Sequence, residues 1–240
     1  MGKQIIAQQR GRSPKFWVRG FRHRGPAKHN PLTEQAVKGI VKGTIMDIVH
    51  CPGHSAPLAK VQFDDRTPTF ILAPEGIKIG DILESGINIA QSPGAITTLE
   101  LLPEGTLIHN IEIQPGDGGK LVRSSGAFAK ILSKTPEGIL IQLPSKKKKI
   151  FNPMCRASIG TVAGGGRKEK PLLKAGNKFK AFKARNKLYP KVCGQSMNAV
   201  DHPHGGTRSS KKNYPYSVSR HAPPGAKVGQ IASRRTGRKK

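Results

Sequence analysis

The sequence predicts an all-β protein: small barrels in a nearly neutral centre, carried between long, basic, irregular N- and C-terminal extensions. Three observations point there: an uneven layout of charge, short Ile-, Val- and Leu-rich runs confined to the centre, and regular turn signals between those runs. The chain has 240 residues and a formal net charge of +28. Residues 1–36 hold 8 basic and 1 acidic side chain, residues 37–145 hold 9 and 11, and residues 146–240 hold 25 and 2. Such a charge opposes compaction unless an anion neutralises it. Nucleic acid is the usual one, because each neutralised phosphate releases condensed counterions.

The expected strands are Val37–Val49, Leu58–Phe63, Thr69–Leu72, Gly86–Ala90, Thr97–Leu101, Thr106–Ile113, Ala127–Leu132 and Ile139–Leu143. Between them stand turn signals such as Pro52-Gly53, Pro74-Glu75-Gly76, Pro93-Gly94, Pro103-Glu104-Gly105 and Pro136-Glu137-Gly138. Short strands so punctuated indicate a sandwich or barrel. Their number over about a hundred residues suits two small barrels better than one sheet. From Gly164 to Lys240 apolar runs are few, so this segment should lack order alone and fold against RNA. In the N-terminal stretch Phe16, Trp17 and Phe21 lie between cations, a pattern in which rings stack on bases and arginines hold the backbone.

Other partners and compartments are disfavoured. The longest apolar runs fall far short of the ~20 residues that span a bilayer, so no membrane partner is expected. There is no secretory-type apolar stretch near Met1, and Ile6 stands where a myristoylation signal wants Ser or Thr. Cys51, Cys155 and Cys193 are odd in number and widely spaced, which is not a disulfide framework. The cytosol is the expected compartment.

Several segments occur in a specific order: Ser55-Ala56-Pro57-Leu58, Ala73-Pro74-Glu75-Gly76, Leu102-Pro103-Glu104-Gly105-Thr106 and Pro115-Gly116-Asp117-Gly118-Gly119-Lys120. Cys155-Arg156-Ala157-Ser158-Ile159-Gly160, Gly164-Gly165-Gly166-Arg167-Lys168 and Val200-Asp201-His202-Pro203-His204-Gly205-Gly206 follow. As an ordered set they resemble the universal L-two family of large-subunit ribosomal proteins, and the two ends resemble its archaeal branch. The resemblance implies an OB-like barrel followed by an SH3-like barrel. The corresponding division is a basic extension at 1–36, an OB-like barrel at 37–85, an SH3-like barrel at 86–163 and a Gly-rich basic extension at 164–240. It also implies a structural protein of the cytoplasmic ribosome that supports assembly, subunit association and the architecture near the peptidyl-transferase region. Its partners would be large-subunit (23S-type) rRNA, neighbouring large-subunit proteins and, across the interface, the small subunit.

The expected rRNA contacts are Arg10, Arg12, Trp17, Arg19, Arg22 and Arg24 at the N-terminus, and Lys120, Arg123, Lys146, Lys147, Lys148 and Arg156 in the barrels. In the C-terminal part they are Arg167, Lys168, Lys170, Lys174, Asn198, His202, His204, Gly205, Gly206, Arg208, Arg234 and Arg235. Cys51 and His54 stand where the family usually carries Asp and Arg. Cys193 stands where it usually carries Arg.

Sharper readings fail on spacing. Gly194-Gln195-Ser196-Met197-Asn198 lacks the last glycine of a nucleophile elbow, and no other catalytic constellation survives. Cys193, His202 and His204 lack the fourth ligand of a structural zinc site, as do His50, Cys51 and His54. Gly164-Gly165-Gly166-Arg167-Lys168 lacks the full phosphate-loop pattern. No enzyme and no resident metal or cofactor is expected, although Asp201 could orient a hydrated magnesium ion shared with rRNA. Pro115–Lys120 reads either as an anion nest or as a wide hairpin turn. The rival function is a free-standing OB-type RNA-binding or RNA-chaperone protein, which would share the charge and the barrels but bind single strands with little preference.

Overall fold

The computed structural model describes residues 2–17, 23–31, 39–63, 68–87, 89–207 and 217–234. Two compact units form: residues 20–172, and residues 1–19 together with 173–240. The protein is all-β in its larger unit, with ten strands in one hydrogen-bonded series.

The first strands are β1 (Ile40–Val49), β2 (Leu58–Phe63), β3 (Thr69–Leu72) and β4 (Ile82–Gly86). Up to the bulge after Ile45, β1 alternates exposed and buried residues, the period of a sheet with one wet face. Its inward residues Val41 and Ile45 pack with Val61, Phe63, Ile71 and Leu83 in the first core. The second half comprises β5 (Ile96–Thr98), β6 (Leu107–His109), β7 (Ala129–Thr135), β8 (Gly138–Gln142), β9 (Lys148–Phe151) and β10 (Arg156–Ile159). Leu99, Leu102, Ile108, Ile111, Ile131, Ile141 and Phe151 fill its separate core.

The two halves are not separate sheets. The strand order is β3-β2-β1-β4-β5-β10-β6-β7-β8-β9, and a parallel contact at Ser85 and Ile96 joins them. The open edge of β4 gives β5 its partner, because buried backbone groups must be hydrogen-bonded somewhere.

Several expected boundaries move. The fourth strand is Ile82–Gly86 and not Gly86–Ala90: Gly86 adopts φ +142°, and the Ala90 N–H donates to the Glu84 carboxylate instead of a ladder. Thr97–Leu101 is a three-residue strand followed by a 3-10 turn at Leu99–Leu101. Thr106–Ile113 is strand only at Leu107–His109. Lys148–Phe151 and Arg156–Ile159 were not expected as strands, since lysines masked the first and the second has no alternation because all four residues are buried. Val37 and Lys38 lie outside the described residues.

Residues 23–31, expected as part of the N-terminal extension, belong to the larger unit's body. Ala27 joins a third cluster with Cys51, Ala56, Leu58, Leu72 and Val162, and His29 and Asn30 are buried.

The smaller unit contains α1 (Ala175–Ala184), where an irregular tail was expected. Its Ala and Lys content suits a helix, and Phe179 and Phe182 share one face. It ends in a Schellman motif: the Lys187 N–H donates to the Phe182 carbonyl at 2.9 Å and the Asn186 N–H to the Lys183 carbonyl at 3.1 Å. Asn186 sits at φ +56°, a left-handed position that Asn tolerates in place of Gly. A short parallel pair, β11 (Ser217–Val218) with β12 (Gln230–Ile231), also belongs to this unit.

Candidate nucleic-acid interface

The expected contacts separate into side chains that face solvent and side chains that build the fold. Arg156 belongs to the second group and is corrected here. It lies on β10, flanked by β5 and preceding the residues paired to β6. Its guanidinium meets the Glu112 carboxylate at 2.9 Å through Nη2 and donates from Nη1 to the Asn30 carbonyl at 2.8 Å. Both side chains are buried. A cation so enclosed and paired is not a surface phosphate contact.

Arg123 is half-buried, donating to the Ala27 carbonyl at 2.6 Å and to that of Gly119 at 3.2 Å. It ties the 23–31 segment to the Pro115–Lys120 turn. Within that turn, Asp117 accepts from the N–H groups of Ile113, Gln114 and Gly119, and Glu112 accepts from those of Gly116 and Gly118. The turn's amides are therefore largely satisfied by the protein's own carboxylates, and the hairpin-turn reading replaces the anion nest. Lys120 remains exposed, 3.3 Å from the Asp117 carboxylate.

The solvent-facing group is larger. Lys146, Lys147 and Lys148 are exposed where β8 turns into β9, with Lys146 at φ +64°. Arg167, Lys168 and Lys170 are exposed beyond β10, and Arg167 donates from Nε to Ser125 Oγ at 2.9 Å. Arg24 is exposed on the larger unit, and Arg10, Arg12, Trp17, Lys174, Asn198 and Arg234 are exposed on the smaller one. Arg19, Arg22, Arg208 and Arg235 lie outside the described residues.

The loop Asn198–Gly206 is tightly self-bonded. The Gly206 N–H donates to the Met197 carbonyl at 3.1 Å and the Gly205 N–H to that of His202 at 2.9 Å. A Cβ on Gly205 would fall on the Met197 and Asn198 backbone, and one on Gly194 would fall on the His202 ring. Both glycines are thus demanded by close approach and not by a left-handed backbone. The His204 N–H donates to His202 Nδ1 at 3.0 Å, and the two rings meet edge to face at 4.9 Å. Burial, then the neighbouring His204, lowers the pKa of His202. A neutral His202 accepting at Nδ1 carries its proton on Nε2, which makes it a neutral hydrogen-bond donor.

Cys51 and His54 also find a local explanation. The Cys51 thiol is buried in the third cluster and lies 3.2 Å from His54 Nδ1. Burial first, then Arg123 and His23, lowers the His54 pKa, which favours the neutral ring. Among the described residues no group of three or more His, Cys, Asp or Glu side chains is arranged to hold a metal ion.

Sequence reasoning missed Glu112, Asn30 and His29 because their importance comes from partners 44 to 126 residues away. It also missed Phe179 and Asn186, which the helix brings into play.

A β-barrel body that encloses the Arg156–Glu112 pair and turns lysines such as Lys146–Lys148 outward fits an RNA-binding structural protein. Ribosomal Proteins L2, C-terminal domain, matches residues 92–225, and Ribosomal Proteins L2, RNA binding N-terminal domain, matches residues 4–85. The chain belongs to the L2 family of large-subunit ribosomal proteins. It is 49% identical over 240 residues to the large ribosomal subunit protein uL2 of Methanococcus maripaludis strain C5, covering 100% of both chains. Over 241 residues it is 47% identical to that of Methanothermobacter thermautotrophicus and 48% identical to that of Methanobrevibacter smithii, again covering all of each. The L2 family is structural, and the protein is not an enzyme.

Proposed function

We infer that the chain is an architectural constituent of the large ribosomal subunit, holding folded rRNA in the cytoplasmic ribosome. One observation carries the physical argument. Among the described residues, only Lys3, Lys42, Lys120 and Arg156 have a carboxylate within ion-pair distance. The other described lysines and arginines have no carboxylate at that distance, and rRNA phosphate supplies the anion. Phosphate contacts set affinity, while loops such as Asn198–Gly206 supply fit to RNA shape.

The finer reading covers support of assembly, the architecture near the peptidyl-transferase region, neighbouring large-subunit proteins and a contact to the small subunit. The ordered family segments support it, as does the exposed Asn198 beside the neutral donor His202. In this reading the protein has no cofactor of its own, and any hydrated magnesium ion at the interface is shared with the RNA.

Sedimentation of a native lysate through sucrose at moderate and high salt tests the proposal. Stoichiometric co-migration with the large subunit that survives the salt wash is the expected result. A chain that stays at the top of the gradient is instead the free-standing RNA-binding protein. Subunit joining with His202→Ala then tests the small-subunit contact, which an unchanged joining rate would remove.

A further inference from the structure

A cleft of about 340 Å³ opens in the smaller unit, lined by Trp17, Phe179, Tyr189 and Asn186, with Lys15 and Lys183 among its cations. Trp17 is 60% exposed and Phe179 45% exposed, so neither ring belongs to a core. Lys183 Nζ lies 5.8 Å from the centre of the Phe179 ring, and Lys178 Nζ lies 5.1 Å from that of Tyr189. At the C-terminal end of α1, Asn186 Oδ1 is buried and has no hydrogen-bond partner among the described residues. A buried acceptor left unpaired is costly, so it calls for a donor from outside.

We propose that this cleft is a clip for one unstacked base of the rRNA, which goes deeper into the rRNA-binding reading and rests on it. Aromatic faces accept a base by stacking, and lysines around them hold the adjoining phosphates. Asn186 sets what the occupant must offer. Its Oδ1 needs an N–H donor, and the amino and imino groups of the bases provide one. The end of the helix explains why the acceptor is held in place. The left-handed position after the helix would be filled by Gly at no cost to the backbone, yet here it carries an amide, on a residue that lines a cationic, aromatic cleft. Charge complementarity sets nucleic acid above an apolar protein segment, because no carboxylate lines the cleft.

Dimethyl sulfate and carbodiimide probing of purified large subunits tests the clip, since the first reagent reads unpaired adenines and cytosines and the second unpaired uracils and guanines. Subunits carrying the full chain are compared with Trp17→Ala, Phe179→Ala, Trp17→Phe and Asn186→Gly. The expected result is one base, protected in the unsubstituted subunit, whose modification rises roughly fivefold or more in both alanine variants, as loss of a stacking partner requires. Trp17→Phe keeps the protection, and Asn186→Gly, which preserves the helix end, loses part of it at the same nucleotide. A pattern unchanged in Phe179→Ala and Asn186→Gly overturns the proposal, and is what a protein segment in the cleft would give. Should Trp17→Ala fail to enter the subunit, Asn186→Gly decides alone. Failure of the rRNA reading itself looks different, because no variant and no unsubstituted chain would then sediment with the subunit.

Discussion

The Arg156 guanidinium and the Glu112 carboxylate meet at 2.9 Å inside the sheet, and through Asn30 they tie residues near position 30 to both halves of the body. Asn30 Oδ1 accepts from Ser85 Oγ at 2.8 Å on β4, while the Glu112 carboxylate also accepts from the Arg156 N–H at 2.9 Å. One buried pair thus connects β4, β10, the Pro115–Lys120 turn and the N-terminal segment. This arrangement makes the pair a matter of folding and not of RNA affinity.

Removing one partner leaves the other charge buried. Arg156→Met should therefore lower the unfolding free energy of the full chain by about 3–5 kcal/mol in urea titration. Adding Glu112→Gln, which keeps an acceptor for the turn's amides, should recover part of that loss. A loss in the double variant equal to the sum of the two single losses would show that the two side chains act independently.

Acid should weaken the larger unit in two windows. Burial lowers His29, with Arg156 adding to it, and lowers His109; both go to about 4. Their unfolded forms bind a proton near pH 6.5, so between pH 6.5 and 4 the unfolded state holds more protons and stability falls as pH falls. For Glu112, burial raises the pKa, but the hydrogen bonds and charge of Arg156 outweigh it and the net shift is downward. Its contribution is present above the unfolded value near 4.5 and is lost as pH drops through the lower folded pKa. Unfolding free energies at a series of pH values check both, and His109→Gln should flatten the upper window by about one proton.

Gly205→Ala should distort the Asn198–Gly206 loop, because its Cβ has backbone in the way and no flexible neighbour to displace. The expected outcome is a several-fold loss of the variant from large subunits on a gradient. Gly11→Ala, whose Cβ meets nothing within 4 Å, should sediment as the unsubstituted chain does.

Replacing Lys146, Lys147 and Lys148 together by Gln should weaken rRNA binding at every sequence tested. The slope of log affinity against log salt should become shallower by about two to three, as loss of three phosphate contacts requires. An unchanged slope would mean that this β8–β9 turn faces solvent in the complex.

Much of this was legible in the chain itself. The strands Leu58–Phe63 and Thr69–Leu72 stand where the apolar runs place them, because those runs are bounded on both sides by turn residues. Exposure of Lys146–Lys148 followed from a run of charge with no carboxylate near it in the sequence. By contrast, α1 was hidden by its lysines, which read as an RNA-binding tail although lysine is also a good helix former. The strand holding Arg156 was hidden for a related reason, since a buried strand shows no alternation and an arginine there signals surface until its partner is known.

By itself the sequence determined the β class, the neutral body, the cationic ends and the family, all properties of local pattern and total charge that need no knowledge of neighbours. Tertiary structure alone decided which cations are free for RNA and which are spent inside the protein. Arg156 and Lys148 are both basic residues of the barrel region, but one lies opposite Glu112 in a dry interior and the other projects from an edge strand into water. Desolvation makes an unpaired buried charge prohibitively costly and leaves an exposed one nearly free, so burial separates their roles.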